Sequence, residues 1–244
     1  MIFALLLLTI ASTASADEGV YAIYRTSTPL EIDGRLDEVA WGAVPAVGKF
    51  VFPWWEEGKK EQTVAKMLWD DKHLYVSFLC QDAHVWGKHV ERDSPVFKDD
   101  CVEVFLAPNP KWPEAYFNLE MNVLGTLLDG FKPADTGIVV EGKWNAQGVR
   151  IATSVVGTLN NDEDEDDYWI LEVALPFGNL AQVAAHTPPE PGDVWHLNLN
   201  RLGGQTNHQY SQWRASQTSE PSFHVPADFG RVIFSSKVSP FWDR

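Results

Sequence analysis

Between Phe97 and Asn122 the chain reads FKDDCVEVFLAPNPKWPEAYFNLEMN, and its polar residues recur at every second position. Cys101, Glu103 and Phe105 alternate with Val102 and Val104, while Asn118, Glu120 and Asn122 alternate with Phe117, Leu119 and Met121. A period of two puts each set on one face of a β-strand. The pattern returns in VWHLNLNRL, where His196, Asn198 and Asn200 oppose Trp195, Leu197 and Leu199. Carboxylates and amides hold neighbouring hydroxyls through charge-assisted or paired hydrogen bonds, and an aromatic ring covers an apolar C–H face. With Phe97, Trp112, Trp213 and Phe223 as aromatic companions, these strands carry the chemistry of a surface for a hydroxyl-rich ligand. One solvated sheet face accounts for any single strand of this kind. Three of them in one chain point to a site.

Other chemistries compete for the same residues. Glu103 and Glu120, if their strands are neighbours, resemble the acid pair of a glycosidase, which needs carboxyls ~5 to 9 Å apart and one raised pKa. The chain has no G-x-S-x-G, HExxH or Gly-rich phosphate loop. A b-type haem is a third class, with Met67, Met121, His84, His89, His196 and His224 as candidate axial ligands, but no spacing selects a pair among them. Asp71, Asp82, Asp99 and Asp100 are hard oxygen donors of the kind calcium takes, without the spacing of an EF-hand loop. The run NNDEDEDD, Asn160 to Asp167, reads as a solvated acidic loop. Cys80 and Cys101 lie in separate strands. They are either a disulfide, as an even pair in an exported chain allows, or two buried thiols.

The elements that must position these residues are strands. Tyr21–Tyr24, Thr63–Trp69, Leu74–Gln81, the two strands of the Phe97–Asn122 stretch, Val139–Trp144, Val149–Val156, Trp169–Leu175, Val194–Leu202, Tyr210–Arg214 and Arg231–Phe234 all read as short strands. Gly125 to Gly130 reads as a turn region. Asp33-Gly34 is a turn signal, Asp37 is placed to cap a helical turn holding Trp41, and FGNLAQVA offers a second short helix. The pattern predicts an all-β fold, a distorted antiparallel β-sandwich of about ten strands, immunoglobulin- or jelly-roll-like, with one or two short helices.

The chain opens MIFALLLLTIASTASA, an apolar run ending in small residues, which predicts a signal peptide over residues 1–16 and one domain over residues 17–244. No later stretch approaches ~20 apolar residues, so no membrane insertion is expected. The expected location is secreted, periplasmic or on the cell surface. A net charge of -15 opposes nucleic acid and anionic membrane as partners, because both select basic surfaces. A monomer that binds a mono- or oligosaccharide, with no cofactor beyond optional calcium, is the expectation.

Several stretches in order, IDGRLDEVAW, TVAKMLWDDKHLYVSFLCQD, RDSPVFKDDCVEVFLAP, YFNLEMNVLGTLLDG, VEGKW, VVGTLN, WILEVALPF and FHVPADFGRVIF, resemble the carbohydrate-binding module family 9-like domain, a DOMON-like β-sandwich. The resemblance covers nearly the whole mature chain. It implies noncatalytic sugar binding and, in some members, structural calcium. It further implies that two aromatics sandwich a terminal sugar ring. One lies three residues before the Asp of D-x-V-E-x-F, which is Phe97 here; the other lies shortly before the final Phe-Gly pair, which is Phe223. Both are often Trp in the family, so Phe makes a smaller platform. Glu103 resembles the family's hydroxyl acceptor, and Glu120, Asn122, Asn198 and Asn200 lie on strands that supply further polar contacts. Trp213 completes the candidate set.

Overall fold

The long strands carry their large apolar side chains on one face, and the two sheets that result close on each other through those faces. The computed structural model describes residues 19–137, 143–204 and 207–238. Its strands are β1 (Val20–Arg25), β2 (Thr63–Trp69), β3 (His73–Gln81), β4 (Cys101–Ala107), β5 (Tyr116–Asn122), β6 (Leu127–Lys132), β7 (Arg150–Val156), β8 (Tyr168–Pro176), β9 (Val194–Leu202), β10 (Tyr210–Gln212) and β11 (Gly230–Phe234), with one α-helical turn, α1 (Val39–Gly42). The first sheet runs β6-β5-β4-β9-β11, with β10 paired to β9, and the second runs β2-β3-β8-β7. Strand β1 joins them, pairing with β11 through Val20–Ile23 and with β2 through Tyr24 and Arg25. The described residues thus form the expected β-sandwich.

Val102, Val104, Phe117, Leu119, Met121, Leu197 and Leu199 from the first sheet meet Met67, Val76, Phe78, Trp169, Leu171 and Val173 from the second in one buried cluster. Burial of side chains of this size stabilises by roughly 1.5–3 kcal/mol each, so the alternation seen in the sequence is the main force closing the sandwich. The outward face of the second sheet has its own apolar cover, in which Leu30, Trp41 and Val44 pack on Leu68, Tyr75 and Ala174. Glu172 of β8 pins that cover by accepting hydrogen bonds from the Trp41 indole at 2.9 Å and the Gly34 amide at 2.9 Å. Gly34 turns with a φ of +83°, and a Cβ there would lie 2.8 Å from the Thr153 backbone, so both conformation and space demand glycine.

One end of the sandwich is held by charge. Arg201 of β9 points between the sheets and is fully buried; its guanidinium donates to Asp82 at 2.9 Å and to the Gln81 carbonyl at 2.6 Å, with Glu61 at 3.8 Å. Asp82 also accepts from the Trp169 indole at 3.2 Å, and Glu61 from the Gln209 amide at 2.8 Å. The cluster therefore ties β9 of the first sheet to the end of β3 in the second.

The structure decides five points of the sequence reading. Strand β1 runs parallel to both of its neighbours, which departs from an antiparallel sandwich. Only Val123 to Thr126 forms the turn after β5, and Leu127–Lys132 is a strand. Asp129 and Gly130 hid it; a Cβ at Gly130 would lie 2.9 Å from the Asn118 amide oxygen, so a larger residue there would have to displace that side chain. Cys80 and Cys101 are free thiols: Cys80 faces the core between the sheets, whereas Cys101 shares the opposite, outer face of β4 with Glu103, and burial pushes the Cys80 thiol up to about 12. The first turn of α1 is capped by Glu38 rather than Asp37, without a side-chain hydrogen bond. The segment Phe177–Leu180 is a short helix, as expected, of the 3-10 kind. The strand expected over Val139–Trp144 falls mostly outside the described residues, as does the leader at residues 1–16; Trp144 itself packs 4.7 Å from Phe117.

Removing one partner from a buried ion pair leaves the other uncompensated, at a cost of about 3–5 kcal/mol. Asp82→Ala is expected to lower the unfolding free energy by that amount in urea titrations, and a loss under about 1 kcal/mol would show that Arg201 does not depend on it.

Candidate functional site

The outer face of the first sheet is where the polar alternation leads. Glu103 of β4 pairs directly with Glu120 of β5 on one side and Asn200 of β9 on the other; Leu128 of β6 lies beyond Glu120 and Gln212 of β10 beyond Asn200, so one row crosses five strands. The next row places Asn118, Phe105 and Asn198 together. Adjacent strands lie only ≈ 4.8 Å apart, which sets the two carboxyl-bearing residues side by side on one floor.

Over that floor lies a cleft of about 360 Å³ lined by Phe97, Glu103, Glu120, Leu128, Leu202, Tyr210, Pro221, Ser222, Phe223 and His224. Phe97 stands on a single 3-10 turn, Val96–Lys98, whose Val96 is fully buried while the Phe97 ring is 42% exposed. Phe223 arrives on the loop before β11 and is wedged in place, with its ring centre 5.7 Å from Trp54 and 6.0 Å from Tyr210. His224 leans over Phe105 at 4.9 Å, and its Nδ1 is 2.8 Å from the Tyr116 hydroxyl. Burial and the nearby Lys132 hold this imidazole neutral, below the usual histidine range, while burial and the two glutamates push the Tyr116 hydroxyl up to about 12. The phenol keeps its proton.

The two carboxyls make few bonds with the protein. Glu103 accepts from the Asn200 amide at 3.1 Å and Glu120 from the Asn118 amide at 3.0 Å. Removal from water raises the pKa of both; for Glu103 the adjacent Glu120 charge adds to this and the Asn200 hydrogen bond opposes it. Glu120 is pushed from 4.5 up to about 7, against the opposing pull of its Asn118 hydrogen bond and Lys132. Like charges this close resist double ionisation, so near neutral pH the pair retains a proton and presents both a hydrogen-bond donor and several acceptors.

The structure brings Phe97, Glu103, Glu120 and Phe223 to one cleft, with Asn200 buried behind Glu103. It places three predicted residues elsewhere. Trp213 lies in the core between the sheets, edge-on to Tyr21 at 6.3 Å, because its amide still bonds the Leu199 carbonyl at 2.8 Å and strand alternation after the outward Gln212 turns it to the inner face. Asn198 is occupied with Arg214, donating to its carbonyl at 2.9 Å and accepting from its amide at 3.0 Å. Asn122 holds the turn after β5, accepting from the Leu124 and Thr126 amides and donating to Asp99 and the His89 carbonyl.

The aspartates offered for calcium have protein partners. Asp71 pairs with Arg25 at the surface, Asp82 with Arg201, Asp99 with His89 at 2.8 Å, and Asp100 with the amides of Trp86 and Gly204 at 2.6 Å each. Among the described residues no group of three or more His, Cys, Asp or Glu side chains is arranged to hold a metal ion. The acidic run is exposed except at Asp166, which turns in to accept from the Val85 and Thr158 amides. The cleft residues that sequence reasoning missed, Leu128, Leu202, Tyr210, Pro221, Ser222 and His224, carry no motif. Only register could have found Leu128 and Leu202, which share the face of Glu120 and Cys101.

A β-sandwich with an aromatic and carboxyl-lined cleft on one outer sheet face defines a class of small-ligand binding domain. The sequence pattern of carbohydrate-binding family 9 matches residues 37–234, and the chain belongs to that family. Among curated proteins none matches it in sequence. Solved structures share the fold: a proposed carbohydrate-binding protein from Bacteroides uniformis at 19% identity and a TM-score of 0.71, covering 89% of this chain and 99% of that one. A family 9 module from Caldicellulosiruptor kristjanssonii in complex with cellotriose aligns at 14% identity and a TM-score of 0.59, covering 89% and 94%. The same kind of module in complex with glucose aligns at 14% identity and 0.58, covering 91% and 100%.

The Glu120 carboxyl has its pKa raised on folding, so its contribution to stability is complete below the unfolded value of 4.5 and is lost as pH rises through about 7. Between pH 5 and 8 that loss reaches on the order of 3 kcal/mol. Urea midpoints measured across this range are expected to fall for the native protein and to fall less for Glu120→Gln. Equal slopes in the two proteins would contradict the raised pKa.

Proposed function

We propose that the protein binds a saccharide without converting it, holding a terminal ring between Phe97 and Phe223 while Glu103 and Glu120 take its hydroxyls. The observation that carries this reading is the paired glutamates on the floor of a cleft with one of these aromatic rings on each of two separate loops. Vicinal hydroxyls need donors and acceptors at short spacing, and a protonated and an ionised carboxyl on adjacent strands supply both. The Phe rings, Leu128 and Leu202 suit the C–H face of a sugar ring. Family membership supports the same reading, as do the structural neighbours solved with cellotriose and glucose.

The same geometry favours binding over hydrolysis. Glu103 and Glu120 stand directly opposite each other in the β4–β5 ladder and turn donors and acceptors toward one side of a ligand, which suits the holding of neighbouring hydroxyls. Three of the residues offered for haem lie apart. Met67 and Met121 are spent in the packed core between the sheets, while His224 stands on the opposite, outer side of the first sheet. The apolar leader supports export, so we place the domain outside the cytoplasm, as a monomer whose strongly acidic surface selects against nucleic acid and anionic lipid.

Calorimetric titration with a panel of neutral monosaccharides and their oligomers tests the reading. Phe97→Ala removes an exposed ring with little effect on folding and is expected to weaken binding about tenfold. Glu103→Gln keeps the shape but loses a charge-assisted hydrogen bond, and is expected to weaken it about ten- to hundredfold. Unchanged affinity in both variants would sink the site. Turnover of aryl glycosides that disappears in Glu103→Gln would show an enzyme instead.

A further inference from the structure

A second cleft, of about 440 Å³, shares a wall with the first: Tyr210 and Pro221 line both. Beyond that wall it is lined by Trp55, Glu56, Glu57 and Glu220. The two adjacent tryptophans of this loop have opposite fates. Trp54 is the buttress, its indole donating to the Thr218 carbonyl at 2.8 Å and its ring packed on Phe223 and Tyr210. Trp55 is left 39% exposed in the cleft, with the Lys60 ammonium 4.4 Å from its ring centre. The dividing Tyr210 is itself fixed, edge-on to His208 at 4.9 Å and 3.2 Å from that imidazole through its hydroxyl. A large aromatic side chain displayed beside three carboxylates repeats, at one remove, the chemistry of the first cleft: a platform for a C–H face with acceptors for hydroxyls.

The geometry points to a second sugar subsite: a neutral oligosaccharide whose terminal ring fills the first cleft continues past Tyr210 and lays its next units against Trp55, with hydroxyls toward Glu56, Glu57 and Glu220. This rests on the reading of the first cleft as a saccharide site. It goes beyond that reading in making the ligand an oligosaccharide and in excluding uronic acids, since three carboxylates face the second cleft against the single ammonium of Lys60.

The test compares glucose, xylose, mannose and galactose with their di- and trisaccharides, and with a trigalacturonate, in calorimetric titrations of the native protein, Trp55→Ala and Phe97→Ala. For at least one neutral series the trisaccharide is expected to bind about tenfold tighter than its monosaccharide. Trp55→Ala should abolish that gain and leave the monosaccharide affinity within about twofold, while Phe97→Ala should weaken both ligands. Circular dichroism and a thermal midpoint for Trp55→Ala confirm that it folds, and Trp55→Phe should restore part of the gain. A trisaccharide no tighter than its monosaccharide, a gain that survives Trp55→Ala, or equal losses for both ligands would overturn the second subsite and leave the first standing. Trigalacturonate binding as tightly as a neutral trisaccharide would overturn the exclusion of acidic units. If no sugar binds the native protein, both readings fall together.

Discussion

A single buried guanidinium closes the end of the sandwich on which the cleft depends. Arg201 has no route to water, and its charge is tolerable only because Asp82, Glu61 and backbone carbonyls from the other sheet surround it. Its neighbour in β9, Asn200, points the opposite way and holds Glu103. Strand alternation therefore couples the two: the residue that fixes β9 against the second sheet and the residue that orients the cleft's glutamate are consecutive. A shift of β9 by one position would exchange them, burying an amide where the guanidinium belongs and turning an arginine into the cleft.

The outer face of the first sheet is the unusual part of this sandwich. An ordinary outer face is solvated, but here Glu103, Asn118, Asn198 and Asn200 are buried beneath loops carrying Trp54, Phe223 and Phe229. Covering two glutamates costs solvation energy, which appears as raised pKa values. The apolar contacts of Phe105, Tyr116, Phe223 and Phe229 offset that cost and keep the loops in place. Such an arrangement gives a small, preorganised set of donors and acceptors in a poorly hydrated cleft, where each hydrogen bond to a ligand counts for more than it would at an open surface.

The loops before β2 and before β11 do the remaining work. They meet over β10, where Trp54 packs on both Tyr210 and Phe223. One aromatic cluster thus builds the wall of the first cleft and the floor of the second, so the two are parts of a single surface. The irregular loop before β2, where Pro53 precedes Trp54 and Trp55, acquires its meaning only through these contacts.

Strand alternation alone determined the β-class, the positions of most strands and the polar faces of β4, β5 and β9, because a period of two is a local property of the chain. Phe97, Glu103 and Phe223 were reachable through ordered likeness to a family, and the structure sets all three around one cleft. Three-dimensional contact decided the rest. Whether Asn122 and Asn198 serve a ligand or a turn depends on which amide lies opposite. Trp213 faces inward because the pairing with β9 continues to Leu199 with Gln212 on the outer face, and Cys80 and Cys101 were kept apart because their strands present them to opposite faces. The parallel pairing of β1, the strand hidden by Asp129 and Gly130, and the pairing of Glu103 with Glu120 are matters of register between distant segments. No local pattern carries that information, since hydrogen bonding and packing between strands set it only after the chain has folded.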